Sequence, residues 1–154
     1  DFRAALEVNP ASLPALGNLA HVLSERLMRP EEAAEYLGRW IEQYPDDAVA
    51  RGSRGVLLAR RGRHDEAAQD AEAALLRSSV PFVLYQCGCI HALAVRDREA
   101  AREPARKLLA RALRDQPSLH AEMRADADLA NLRDDATFER MLRAAQTLVE
   151  AAGK

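Results

Sequence analysis

The fold is decided by residues 48–77, AVARGSRGVLLARRGRHDEAAQDAEAALLR, because one helix-length run lies on each side of Gly62. The first run, from about Ala48 to Arg61, follows Asp46-Asp47, and an aspartate in that place accepts hydrogen bonds from the free N–H groups of a first helical turn. Gly62 supplies the turn. The second run, from about Asp65 to Arg77, opens with acidic residues, which suit the positive end of the helix dipole. The stretch therefore predicts two consecutive helices joined by a tight turn.

The segment that closes the second run, beginning at Ala74, resembles three other short segments of the chain. The four segments begin at Ala5, Trp40, Ala74 and Ala112, at intervals of 35, 34 and 38 residues. Three of the four end on proline, which cannot continue a helix. Small residues lie seven positions before the last three, at Ala33, Ala67 and Ala105. Seven residues are two helical turns, so each pair shares one helix face. A period near 34 residues predicts a repeat of helix pairs.

The middle pair resembles the tetratricopeptide repeat. Its small and apolar residues stand at the family's signature positions, namely Gly55, Leu58, Gly62, Ala67, Ala71 and Ala74. Only Arg63 and His64 depart from the family's usual turn. The resemblance extends over about residues 1–117. It implies an all-α fold in which antiparallel helix pairs stack into a right-handed α-solenoid with a C-terminal capping helix.

The repeat pattern predicts one domain over residues 1–154. Within it, 1–9 form the tail of a preceding repeat, 11–45, 46–80 and 81–117 form three repeats, and 118–154 form a C-terminal cap. The third repeat has a longer inter-helix loop. The cap holds a final helix that begins after Asp134 or Asp135. The apolar residues of that helix recur with helical spacing, at Phe138, Met141, Leu142, Ala145, Leu148 and Val149.

In the tetratricopeptide family the first helix of each pair lines a concave groove that binds a peptide or protein partner. Carried over by position, that groove is expected to hold Asn18, His21, Glu25, Arg51, Gly52, Val56, Arg60, Gln86, Ile90 and Leu93. The guanidinium groups of Arg51 and Arg60 favour a partner that carries an acidic group. The resemblance thus implies a protein–protein interaction scaffold.

The segment Cys87-Gly88-Cys89-Ile90-His91 is the one cluster that could carry chemistry. Side chains two positions apart on a helix point about 200° away from each other, so Cys87 and Cys89 cannot share a metal ion. Cys87 and His91 could share one, but no second pair of ligands is evident. Because buried cysteine packs as a small hydrophobic residue, we expect no metal and no cofactor. The sequence also lacks a phosphate-binding glycine loop and a nucleophile motif, so no enzymatic activity is expected.

Composition narrows the class of partner. The 154 residues carry a net charge of −2, so no overall electrostatic field would gather nucleic acid. Hydrophobic residues make up 48% and charged residues 30%, as in folded globular domains. No apolar run approaches the roughly 20 residues that span a bilayer, so no membrane insertion is expected. The two cysteines cannot form a disulfide framework, which favours the cytoplasm.

Two alternatives stay open at this stage. The chain opens at Asp1 rather than at a methionine, which favours a piece of a longer protein, such as a regulatory segment of a bacterial signalling Ser/Thr kinase. The half-repeat at the N-terminus also leaves Phe2 and Leu6 with an open apolar face. A second copy of the chain would cover that face in a homo-oligomer.

Overall fold

The computed structural model describes residues 29–153, and all regular structure within this range is helical. The α-helices are α1 Pro30–Gln43, α2 Ala48–Arg60, α3 His64–Leu75, α4 Pro81–Ala94, α5 Arg102–Asp115, α6 His120–Ala125 and α7 Ala136–Ala152. Short 3-10 helices span Glu99–Ala101, Pro117–Leu119 and Ala127–Leu132. The all-α prediction is confirmed over this range. The expectations for residues 1–9 and for Asn18, His21 and Glu25 lie outside the described residues.

The hairpin of α2 and α3 begins and ends within about two residues of its predicted bounds. Asp47 caps α2, because its Oδ1 accepts a hydrogen bond from the backbone N–H of Ala50 at 2.9 Å. Gly62 follows α2 with a φ of 75°, a left-handed conformation that glycine adopts without steric cost. The sequence therefore specifies this hairpin locally, by a cap at its start and a glycine at its turn.

Small residues let the central helices approach closely. Ala67, Ala71 and Ala74 of α3 are fully buried. A Cβ atom added at Gly55 of α2 would lie 2.5 Å from Cδ1 of Ile90 in α4. α4 also packs against α5, and the core continues from there through Leu129 and Leu132 to α7. Bulkier side chains at these alanine and glycine positions would hold the helices farther apart.

A smaller apolar cluster joins α1 to α2. It is made of Ala33, Leu37, Trp40, Ile41, Ala50 and Leu57. Trp40 is 6% exposed, its Nε1 donates a hydrogen bond to Oδ2 of Asp47 at 2.9 Å, and its ring lies 4.3 Å from that of Tyr44, centroid to centroid. Asp47 thus caps α2 with one oxygen and holds α1 with the other.

The final helix packs along only part of its length. Asp135 caps it by accepting hydrogen bonds from the N–H groups of Thr137 and Phe138. Phe138, Leu142 and Ala145 are buried, as their spacing predicts, but Leu148 is 59% exposed. The apolar pattern therefore continues beyond the packed part of α7. In residues 29–153, no helix has both the length and the apolar character required to cross a bilayer.

Candidate functional site

The structure separates the two arginines that were expected to line one groove. Arg51 and Arg60 are nine positions apart in α2, so they project from opposite sides of the helix, roughly 180° apart. The Nε of Arg51 donates to the backbone oxygen of Pro45 at 2.9 Å, and its Nη1 lies 3.7 Å from Oδ1 of Asp70. Arg60 instead faces the C-terminal segment. An acidic partner could not contact both guanidinium groups on a single face.

Three more of the predicted groove residues, Val56, Gln86 and Ile90, lie where α2 meets α4. Gln86 is partly exposed, and its Nε2 donates to Oγ of Ser53 at 2.9 Å. Val56 is half-buried against the core. Ile90 is 2% exposed because Gly55 opposite it leaves room for its side chain. Ile90 therefore belongs to the core and offers a partner almost no surface, whereas Val56 and Gln86 remain accessible.

Arg60 ties α2 to the 3-10 helix Ala127–Leu132. Its Nε donates to Oδ1 of Asp128 at 2.8 Å and its Nη2 donates to Oδ2 at 2.9 Å. The Asp128 side chain is only 10% exposed, so the guanidinium neutralises a carboxylate that is largely shielded from water. A residue predicted to bind a partner thus has a structural contact across 68 positions of the chain.

Asp126, Asp128, Cys89 and Tyr85 form a polar group that we call the Asp126 cluster. Oδ2 of Asp126 accepts hydrogen bonds from the Tyr85 hydroxyl at 2.5 Å and from the Cys89 thiol at 3.7 Å. Its Oδ1 accepts from the backbone N–H of Asp128 at 2.9 Å. Burial raises the pKa of both the Tyr85 hydroxyl and the Cys89 thiol, and the neighbouring Asp126 raises them further. Both groups therefore stay protonated as donors.

The Asp126 cluster has metal-ligand atom types in one place, but its chemistry fits internal hydrogen bonding better. The ligand atoms of Cys89, Asp126 and Asp128 lie within 4.8 Å of one another. All three groups are already engaged within the protein, because the Cys89 thiol donates to Asp126, Asp126 also accepts from Tyr85 and from the N–H of Asp128, and Asp128 accepts from Arg60. Cys87, the other cysteine, is fully buried, and burial raises its thiol pKa to about 12. Its thiol donates to the backbone oxygen of Ala71 at 3.7 Å.

A polar cleft, which we call the Asp70 cleft, opens between α1, α2 and α3. Its volume is about 470 Å³. Asp70 forms its floor, with a side chain that is 3% exposed. Arg54 donates to both oxygens of Asp70 at 2.7 Å, and this hydrogen-bonded pairing raises the pKa of the Arg54 guanidinium. The bidentate pair fixes the positions of α2 and α3 where they line the cleft.

The charged side chains of the Asp70 cleft are almost all paired with one another. The lining holds four carboxylates, Glu31, Glu35, Glu66 and Asp70, and three guanidinium groups, Arg51, Arg54 and Arg63. Arg63 donates to both oxygens of Glu66, at 2.7 and 2.6 Å, and these hydrogen bonds lower the pKa of the Glu66 carboxyl. Glu31 pairs with Arg61 of the α2–α3 turn.

The sequence contains a weak signal for this cleft. Asp70 occurs among the fully buried alanines of α3, between Ala67 and Ala71. A carboxylate on a buried helix face requires a cationic or hydrogen-bonding partner. The partner itself, Arg54, lies 16 positions away on another helix, and helical periodicity does not single it out from the other arginines of α2.

An apolar surface, which we call the turn-end patch, lies where the α1–α2 and α3–α4 turns meet. Arg77 joins the two turns by donating from Nε to Oδ1 of Asp46 at 2.7 Å. A shallow cleft of about 630 Å³ is lined there by Trp40, Tyr44, Pro45 and Val49, among others. The large exposed apolar side chains at this end are Tyr44 (41%), Val49 (40%), Leu76 (79%), Val80 (52%) and Phe82 (48%).

Comparisons of the chain with models of known protein families, with curated proteins and with solved structures found no match.

Proposed function

We propose that the chain is a non-catalytic partner-binding module of tetratricopeptide type, whose helix pairs stack into a right-handed solenoid and whose Asp70 cleft holds a peptide segment of another protein. The observation that carries the proposal is the cleft itself. Its volume of about 470 Å³ falls within the roughly 300–1,000 Å³ typical of ligand sites. The Arg54–Asp70 pair gives it a rigid wall, as a preorganised binding surface requires.

Gly38 of α1 keeps this cleft open. Among residues 29–153, a Cβ atom added at Gly38 would meet only Nη1 of Arg54, at an ordinary van der Waals distance of 3.5 Å. A larger side chain at this position would therefore extend into the cleft rather than into the core. Glycine is about 1 kcal/mol less favourable than alanine inside a helix, so Gly38 makes α1 less stable. The need to keep space for a ligand in the cleft gives a reason for glycine at this position.

The test is a selection of random peptides displayed on phage against the immobilised protein, followed by titration of the enriched peptides. We expect Gly38→Leu to lower the affinity of those peptides at least tenfold, because the leucine side chain fills the space they require. Its thermal stability should not fall, since leucine is a better helix former than glycine.

The matched control is Gly153→Leu, at an exposed position after α7. This variant should bind the selected peptides with unchanged affinity. If Gly38→Leu and Gly153→Leu bind equally well, the Asp70 cleft is not the binding site. If the selection enriches no peptide, the module does not bind peptides in this way.

A second candidate function is self-association through the turn-end patch, favoured by its cluster of exposed apolar side chains. These side chains flank the two turns that the Arg77–Asp46 contact brings together, and exposed apolar surface marks interaction sites in folded proteins. Leu76 is the most exposed of the set, at 79%, and therefore contributes little to the fold.

Sedimentation velocity over a range of protein concentrations tests this candidate. We expect the weight-average sedimentation coefficient to rise with concentration, and Leu76→Glu to abolish the rise by placing a charge in the interface. Leu148→Glu changes an exposed leucine outside the patch, on α7, and should leave the rise intact. A strict monomer at several hundred micromolar protein would eliminate this function.

A further inference from the structure

The charges of the Asp70 cleft define the partner it suits, an inference that rests on the proposed function. Arg61, just outside the lining, neutralises Glu31, so the four carboxylates of the lining face four guanidinium groups in all. The pairing is uneven, however, because Asp70 contacts two arginines and Glu35 is left over. Arg54 and Arg51 contact Asp70, Arg63 contacts Glu66, and Glu31 contacts Arg61. Among residues 29–153, Glu35 has no ion-pair partner, and it is exposed on the α1 wall of the cleft.

An acidic ligand would have to take a guanidinium group away from its present partner. Withdrawing Arg54 would break both hydrogen bonds to Asp70, whose side chain is 3% exposed, and would leave that carboxylate only its longer contact with Arg51. Arg51 is held by the backbone oxygen of Pro45 as well as by Asp70. The arginines of the cleft are therefore engaged in contacts within the protein, and their presence does not favour an acidic ligand.

We propose that the Asp70 cleft binds a cationic side chain, a lysine or arginine of the partner peptide, with Glu35 as its counter-charge. This reverses the acidic partner expected from Arg51 and Arg60 in the sequence. Glu35 needs no rearrangement to accept the ligand because it is already accessible. The neutral walls of the cleft, including Ala34, Gly38 and Gln69, leave room for the stem of a long basic side chain and for the neighbouring peptide backbone.

The test uses three libraries of random dodecapeptides that differ only at one central residue, which is arginine, citrulline or glutamate. Citrulline has nearly the shape of arginine without its charge. We expect the protein to retain the arginine library roughly two- to fivefold more strongly than the citrulline library, the range for one partly exposed ion pair, and the glutamate library least. The preference should shrink as salt is raised from 50 to 500 mM.

Two charge-removing variants locate the effect. Glu35→Gln should reduce the preference for arginine over citrulline to less than 1.5-fold. The matched control, Glu72→Gln on the exposed surface of α3, makes the same change of net charge outside the cleft lining and should preserve the preference. If both variants lower the preference equally, the preference follows the net charge of the protein rather than Glu35, and the proposal is overturned.

The possible failures are distinguishable. If the arginine and citrulline libraries bind equally and Gly38→Leu abolishes both, the cleft binds peptides but does not select a cation. If Gly38→Leu leaves the retention of every library unchanged, the proposed function fails together with this inference. Stronger retention of the glutamate library would restore the acidic partner expected from the sequence.

Discussion

Leu109→Ala is expected to lower the free energy of unfolding by about 2–5 kcal/mol, because leucine-to-alanine changes in a close-packed core lose transfer free energy and leave a cavity. Leu109 of α5 is fully buried. Its side chain packs over Gly88 of α4, where an added Cβ atom would lie 2.6 Å from Cδ2 of Leu109. Urea unfolding followed by circular dichroism measures the change.

A reciprocal substitution makes this prediction specific to the contact. Gly88→Ala alone should cost about 1–3 kcal/mol, since the new methyl group overlaps a leucine that has no free space into which to move. In the Leu109→Ala background the same methyl group meets the cavity, so its cost should fall to near zero or change sign. Additive costs in the double variant would show that α4 and α5 do not meet at these two residues.

The control for the cavity is Leu148→Ala. Leu148 lies on α7 and is 59% exposed, so the same substitution should change the free energy of unfolding by less than about 0.5 kcal/mol. A large effect at Leu148 would mean that the end of α7 packs against a surface, as it would in an oligomer. A small effect at Leu109 would contradict the packing of α4 on α5.

Arg60→Gln is expected to lower the free energy of unfolding by about 2 kcal/mol. Removing one member of a buried ion pair costs about 3–5 kcal/mol, because the other charge stays buried without compensation. The Asp128 side chain is 10% exposed, but that of Arg60 is 36% exposed, so solvent screening reduces the figure. The loss should concentrate at the 3-10 helix Ala127–Leu132, whose amide hydrogens should exchange faster with solvent.

The neighbouring residue provides the comparison. Arg61→Gln breaks the pair between Arg61 and Glu31, whose side chains are 52% and 56% exposed. Exposed pairs contribute between about 0 and 1 kcal/mol, so this variant should be nearly as stable as the parent. Equal losses for Arg60→Gln and Arg61→Gln would show that the contact with Asp128 has no special weight.

The features that sequence reasoning predicts here are the local ones. The caps Asp47 and Asp135 were both among the aspartates expected to begin a helix, because capping needs only the next three residues. The buried face of α3, with Ala67, Ala71 and Ala74, follows from helical periodicity alone. These predictions depend on no distant part of the chain.

The features that escape sequence reasoning depend on what a helix packs against. The face of α2 that bears Arg60 was expected to bind a partner, but the 3-10 helix Ala127–Leu132 supplies Asp128 there. Ile90 stands at a groove position, yet it is buried because Gly55 lies opposite it. The periodicity of α7 runs on to Val149 because a repeating pattern does not indicate where its neighbours end. The Arg54–Asp70 pair is likewise a property of two helices together.

The anchoring of Trp40 gives the molecule a built-in optical probe. Trp40 is the single tryptophan of the chain, and its indole is held against Tyr44 and hydrogen-bonded to Asp47. Its fluorescence therefore senses the α1–α2 hairpin and is insensitive to the surroundings of α5 and α7. Emission and circular dichroism recorded on one sample would separate the opening of that hairpin from melting of the whole chain. Gly38 lies two positions from Trp40, about 200° around the same helix, so a ligand in the Asp70 cleft should change this emission only if it moves α1 relative to α2.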